Sequence, residues 1–256
     1  LPSTPPGGTD VCPNPLLLAP DLPAAGASLS DLLTAPSLRP SRAAGLVTEV
    51  VGRHLWPTAD PSDPVFTPDG ESLELGGRAG GRFETDGFMA PRHAALVPTP
   101  EGVVVEDYGT ERGVYLRAGA RLPLRTGDRI RVGQQLLRFH VIDRPTDGTE
   151  IEPARAYWGR LAVMLDSRRE AAAYPLRETM AEIGRDRGDV QFPFDETVGD
   201  PHCWIEVDPE DGPTLICDRD GPPVYVRIEH GEMVTYGSEL LVGETLIALR
   251  RDDAMG

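Results

Sequence analysis

Two Gly-Arg steps, Gly77-Arg78 and Gly184-Arg185, and two histidines, His93 and His202, are the residues whose types and placement offer chemistry. A guanidinium presents a rigid fork of donors suited to phosphate or carboxylate oxygens. An imidazole can transfer protons, ligate a metal or brace a loop. Each Gly-Arg closes a short apolar strand and opens a polar loop. Each histidine stands three residues after a small residue, Ala90 in one case and Gly199 in the other. All 25 basic residues are arginine, because the chain has no lysine. That excludes a Walker A loop, the lysine of protein kinases and a Schiff-base lysine, so the glycine-rich GGRAGG is not a nucleotide cradle of those types.

Other routes to catalysis find no support. Serine is absent between Ser72 and Ser167, which leaves this part of the chain without a serine nucleophile. Asp218-Arg219-Asp220-Gly221 begins like a calcium loop but lacks the later ligands, and reads as a hairpin turn. Cys12-Pro13-Asn14-Pro15 opens like a zinc ribbon with no second cysteine nearby. Scattered Asp and Glu form no acid/base pair. The expectation is a non-enzymatic chain with no catalytic residues, metal or cofactor.

The elements that position these residues come twice. His93 precedes Gly133 by 40 residues and His202 precedes Gly243 by 41. Both glycines close the pattern Gly-x-x-apolar-x-Val-Gly-x-x-Leu, at Gly127 to Leu136 and at Gly237 to Leu246. Between histidine and glycine, each copy has an apolar strand ending in aspartate, Asp107 or Asp218. This shared frame is an internal repeat with one domain's length per copy.

Short alternating segments with Gly, Pro and Asp turns predict an all-β sandwich in each copy. Strands are expected at 46–51, 72–75, 94–97, 103–105, 113–116 and 129–139, then at 161–165, 175–183, 204–207, 215–217, 224–228 and 246–249. The first domain spans 45–143, a polar connector 144–153, the second domain 154–252 and a tail 253–256. Residues 1–44, rich in Pro, Gly, Ala and Ser, read as an extended or disordered arm.

Charge bounds the partners. With 41 acidic against 25 basic residues the net charge is −16, unsuited to nucleic acid and better matched to a basic protein surface. No apolar run is long enough to span a membrane. Three cysteines, Cys12, Cys203 and Cys217, cannot close a disulfide framework, which fits reduced thiols and a cytoplasmic location. Arginine in place of lysine, with abundant Ala, Gly and Pro, suggests a bacterial source.

The ordered series Gly-Arg, His, Asp-led strand, glycine (Gly127-Asp128 in the first copy, Gly237 in the second) and closing glycine resembles the forkhead-associated (FHA) domain, present as a tandem pair covering roughly four fifths of the chain. The resemblance implies two β-sandwiches with binding loops at one end and, generally, phosphothreonine peptides as ligands. It implies structural roles for Gly77, His93, Gly184 and His202, the histidines bracing the loops from inside. It assigns phosphate contact to Arg78, with Arg185 as the second-domain equivalent.

Two positions depart from the family pattern. The serine of Ser-x-x-His is Ala90 in the first copy and Gly199 in the second. The asparagine of Asn-Gly is Arg112 in the first copy; the second has no such turn, and Asn14 is the chain's only asparagine. Losing the hydroxyl and the amide costs on the order of 2–4 kcal/mol, about thirtyfold to a thousandfold in affinity. In the first copy Arg78, Arg82, Arg92 and Arg112 fall near one end of the implied fold, with Thr110 offering a hydroxyl. They either hold an anion or pair with Asp86, Asp107 and Glu111. Three readings follow: a scaffold or structural subunit in a larger assembly, binding protein independently of phosphate; a signalling adaptor whose first domain reads phosphothreonine; or a regulatory segment of a larger enzyme, suggested by the initial Leu1.

Overall fold

The computed structural model describes residues 46–53, 65–66, 72–79, 82–142 and 157–251. The expected arm, the 144–153 connector, the tail and Cys12 lie outside these residues. Alternation of buried and outward residues sets the strands, as in Val103–Asp107, where Val103, Val105 and Asp107 point inward.

The first copy runs β1 (Leu46–Arg53), β2 (Val65–Phe66), β3 (Leu73–Leu75), a 3-10 turn at Gly77–Ala79, α1 (Arg82–Thr85), β4 (Ala94–Pro98) and β5 (Val103–Asp107). It continues with β6 (Val114–Arg117), β7 (Arg121–Pro123), β8 (Arg129–Val132) and β9 (Gln135–Val141). The second copy holds β10 (Gly159–Met164), β11 (Glu170–Leu176), β12 (Met180–Gly184), β13 (Val190–Gln191), β14 (Cys203–Asp208) and β15 (Gly212–Cys217). It ends with β16 (Val224–Arg227), β17 (Glu232–Val234), β18 (Glu239–Val242) and β19 (Thr245–Arg251). The fold is mostly β, in three sheets rich in antiparallel pairs, with almost no helix.

Strands β2, β7, β13, β17 and β18 stand where none was expected, and two expected segments each divide between two strands. Residues 175–183 form parts of two strands, because the polar Arg177-Glu178-Thr179 breaks the apolar pattern and sends β11 and β12 into different sheets. Pro175 is tolerated because β11 is a sheet edge. Residues 129–139 turn back on themselves at Gly133, whose φ of 57° has its counterpart in 63° at Gly243 in the β18–β19 turn. A Cβ at either glycine would meet an aspartate carboxylate, Asp195 or Asp86, at 3.0 and 2.7 Å.

The larger finding is how the copies combine. The ten-stranded sheet has the order β11-β10-β9-β8-β16-β6-β18-β19-β1-β2. The first strand of the first copy therefore pairs with the last strand of the second, Leu46 opposite Arg251, and β9 pairs with β10, Phe139 opposite Leu161. The five-stranded sheet joins β7 of the first copy to β15 of the second. The four-stranded sheet joins β17 of the second copy to β5 of the first.

The cores follow the same exchange. One packs Leu75, Phe83, Leu96 and Val105 against Val234, Leu240 and Ile247; the other packs Ile130, Leu137 and Phe139 against Leu161, Ile183 and Ile205. Neither copy closes a core by itself. The second half of the first copy and the first half of the second form one unit, set between the two ends of the other. A physical reason lies in β9 and β10: strands adjacent in sequence pair at lower loop-closure cost than strands separated by a whole copy.

Beta6 and β16 lie at the centre, antiparallel, with equivalent residues facing each other. Leu116 opposes Val226, while Tyr115 and Arg117 oppose Arg227 and Tyr225. Two loop carboxylates tie the halves reciprocally. Asp86 of the first copy accepts the Glu244 amide and the Thr245 hydroxyl at 2.8 and 2.9 Å. Asp195 of the second accepts the Gln134 amide and the Gln135 side-chain amide at 2.9 and 2.8 Å. Each satisfies donors at the other copy's hairpin turn.

Candidate functional site

The candidate site lies on the loops around β4 and β5, where the 3-10 turn, residues 86–93 and residues 107–113 come together. The main chain sets the frame: the amides of Gly77 and Arg78 donate to the carbonyls of Ala90 and Pro91 at 2.9 and 3.2 Å, and that of Tyr108 donates to the His93 carbonyl. His93 is fully buried beneath it. Its Nδ1 accepts the Ala90 amide at 3.1 Å, which leaves the proton on Nε2, 2.9 Å from both the Gly113 carbonyl and the Thr110 hydroxyl. Burial holds its pKa below the ordinary histidine value, so the neutral ring is the stable form.

His202 repeats this brace. Its Nδ1 accepts the Gly199 amide at 2.9 Å, and Nε2 faces the Pro223 carbonyl at the longer distance of 3.4 Å. Burial lowers its pKa too. The small residue three before each histidine thus has a main-chain role, donating its amide inward.

The polar groups singled out in the sequence are mostly engaged inside the loops. Thr110 Oγ1 lies between His93 and the Gly113 amide, which it accepts at 3.1 Å. Arg92 donates to Glu74 at 3.3 Å and to the Tyr108 hydroxyl at 3.2 Å, with its guanidinium 4.7 Å from that ring centre. Tyr108 in turn donates to Glu74 at 2.7 Å, closing a triad that raises the Arg92 pKa chiefly through Glu74. Arg112 stacks 4.3 Å over the Phe88 ring, a cation–π pair. Arg82 starts α1, and its side chain lies outside the described detail.

Arg78 stands apart. It is exposed on the 3-10 turn and lines a shallow cavity of about 210 Å³ with Glu74, Pro91 and Arg92. Among the described residues its guanidinium has no ion-pair partner. In the second copy, Arg185 is held by Asp186 at 2.9 Å, and the bond raises its pKa.

Two of the three acids expected to neutralise the first copy's arginines are committed elsewhere. Asp86 reaches across to β19, and Asp107 accepts the Gly109 and Thr110 amides and pairs with Arg227 at 3.2 Å. Arg227 was not foreseen at this end of the molecule; only the pairing of β16 with β6 and β8 carries it there. The alternation in Arg129-Ile130-Arg131-Val132 was a legible signal that two arginines share a strand face, but not for what they adjoin.

Cys203 and Cys217 face each other on β14 and β15 as free, buried thiols. Burial raises the pKa of Cys203 and carries that of Cys217 to about 11, so both stay protonated and unreactive. The sequence matches no family model, no curated protein and no solved structure.

Proposed function

We propose that this chain is a non-catalytic interaction scaffold or structural subunit, built from two FHA-type β-sandwiches and binding a protein partner without reading phosphate. One observation carries the reading. At the loop end of the first copy the hydroxyl and all but one of the described guanidiniums near a phosphate's expected position are engaged internally, and the positions for a serine and an asparagine hold Ala90 and Arg112. Freeing Thr110 would strip a partner from His93 and the Gly113 amide, at a cost of roughly 1–3 kcal/mol.

The same loops present arginines stacked on Phe88 and Tyr108, which remain 40% and 38% exposed. Arginine and large aromatics are the side chains that anchor protein interfaces. The net charge of −16 favours a partner with a basic surface. The buried free thiols fit a cytoplasmic setting.

A second reading, a phosphothreonine adaptor, is favoured by the exposed Arg78 beside its small cavity. Titration with a degenerate phosphothreonine peptide library and its unphosphorylated twin separates the two. The scaffold reading expects no preference for phosphate, in wild type or in Arg78→Ala and Arg185→Ala variants. Phosphate-dependent binding that disappears in Arg78→Ala would replace it with the adaptor.

A further inference from the structure

Arginines gather on one face of the central sheet although the chain as a whole is strongly acidic. Arg129 on β8 faces Arg138 on β9 directly. Because Val226 opposes Ile130, the next residues along, Arg227 and Arg129, are also neighbours. Three guanidinium-bearing residues therefore stand in one row on successive strands, about 4.8 Å apart. Like charges placed opposite one another are destabilising unless something compensates them.

The available compensation is incomplete. Arg227 has Asp107, whereas Arg129 donates only to the Ser167 carbonyl at 2.8 Å, among described partners. Burial, then the charge of Arg227, lowers the Arg129 pKa. On the same face, Arg131 Nε and Arg138 Nε are buried without a hydrogen-bond partner among the described residues. A cavity of about 590 Å³ opens against this row, between residues 109–111 and the β10–β11 turn. Four arginines line it, Arg129, Arg168, Arg169 and Arg227, against two carboxylates, Glu111 and Asp166. Asp166 is already taken, accepting the Arg168 and Arg169 amides at 2.8 Å and Arg169 Nε at 2.6 Å.

We propose that this cavity is a binding site for a phosphate dianion, free or as a small phosphate monoester, held by Arg129, Arg168 and Arg227. A tetrahedral dianion supplies acceptors that several guanidinium forks can share. The site arises only from the exchange between copies: β8 comes from the first, β16 and the 165–169 turn from the second. It adjoins the loop end through residues 109–111 but is lined by none of Arg78, Arg92 and Arg112, and phosphate held here survives Arg78→Gln, which separates it from phosphate reading beside Arg78.

The test is calorimetric titration of the full chain with inorganic phosphate and, separately, glycerol 2-phosphate, against chloride at matched ionic strength. Saturable binding is expected, with a rise in melting temperature beyond that in chloride. Equal affinity for the two ligands identifies free phosphate as sufficient; tighter monoester binding shows that the organic part contributes. Arg129→Gln and Arg168→Gln should each weaken binding about tenfold or more. The exposed-turn variant Arg219→Gln should bind as wild type does. Should Arg129→Gln fail to fold, Arg168→Gln still decides, since it alters an exposed side chain. Absence of saturable binding overturns the proposal, as does binding that persists in both variants or is lost instead in Arg78→Gln.

Discussion

The strands flanking the central pair carry the same inner face and opposite outer chemistry. Beta8, beside β16, reads Arg-Ile-Arg-Val; β18, beside β6, reads Glu-Leu-Leu-Val. Ile130 and Val132 on one side and Leu240 and Val242 on the other are all fully buried, each in its own core. On the opposite face, Arg129 and Arg131 stand where the second copy has Glu239 and Leu241, and Glu239 neutralises Arg117 at 2.7 Å. Burial constrains the inner positions to apolar shapes that fill a core, while on the outer face Leu241 packs with Tyr115, Tyr225 and Leu246 and the equivalent Arg131 keeps a charge. The two copies keep one architecture with the inner face and diverge electrostatically with the outer one.

The largest expected effect tests whether the exchanged cores act as one. Phe83→Ala, in the core containing β3 to β5, should cost about 3–5 kcal/mol. Trp158 and Trp204 belong to the other unit. In a Trp56→Phe background their fluorescence transition should nonetheless move to lower denaturant, because the central sheet couples the two units. A transition that stays in place would mean that the cores unfold separately.

The reciprocal carboxylates come next. Asp86→Ala and Asp195→Ala each strand donors at a turn of the opposite copy, and each should cost about 2–3 kcal/mol by chemical denaturation. Unequal losses would show that one crossing tie matters more than its counterpart.

Arg131→Leu writes the second copy's Leu241 into the first. Burial lowers the Arg131 pKa, and its Nε lacks a partner among the described residues, so the substitution should stabilise by about 1 kcal/mol, read as a higher melting temperature. A loss would mean that its placement 5.4 Å over the Tyr115 ring outweighs the cost of burying the charge.

Acid gives a finer contrast. His93 and His202 have folded pKa values below the ordinary 6.5, so the unfolded chain binds their protons more readily. Their contribution is complete above that value and is lost as pH falls below it towards the folded pKa. His93→Gln should flatten this part of the stability–pH curve more than His202→Gln, since the His93 brace is shorter and includes Thr110. The smallest effect belongs to Arg185→Ala, whose exposed pair with Asp186 should leave the melting temperature unchanged.

Much of the architecture was legible in order along the chain. Matched histidines, aspartates and glycines revealed the repeat, and period-two alternation revealed most strands, because both report local demands: a turn that needs positive φ, a strand with one face buried. The boundary between β11 and β12 was less legible, since apolar residues flank the break on both sides. At the loop end, residue types alone showed that a serine and an asparagine were absent. They did not show that Thr110 and Arg92 would be consumed by His93, Glu74 and Tyr108, which depends on how loops far apart in sequence meet.

The sequence by itself determined the β class, the duplicated frame, the absence of lysine chemistry and the acidic net charge. Only the tertiary structure decided which half of each copy completes which core, and so brought Arg227 beside Arg129 and Arg138. Either pairing of the halves satisfies the same local pattern of alternation and turns, because the two copies present equivalent strands. The choice is therefore made by long-range pairing and loop closure, which no window of residues records.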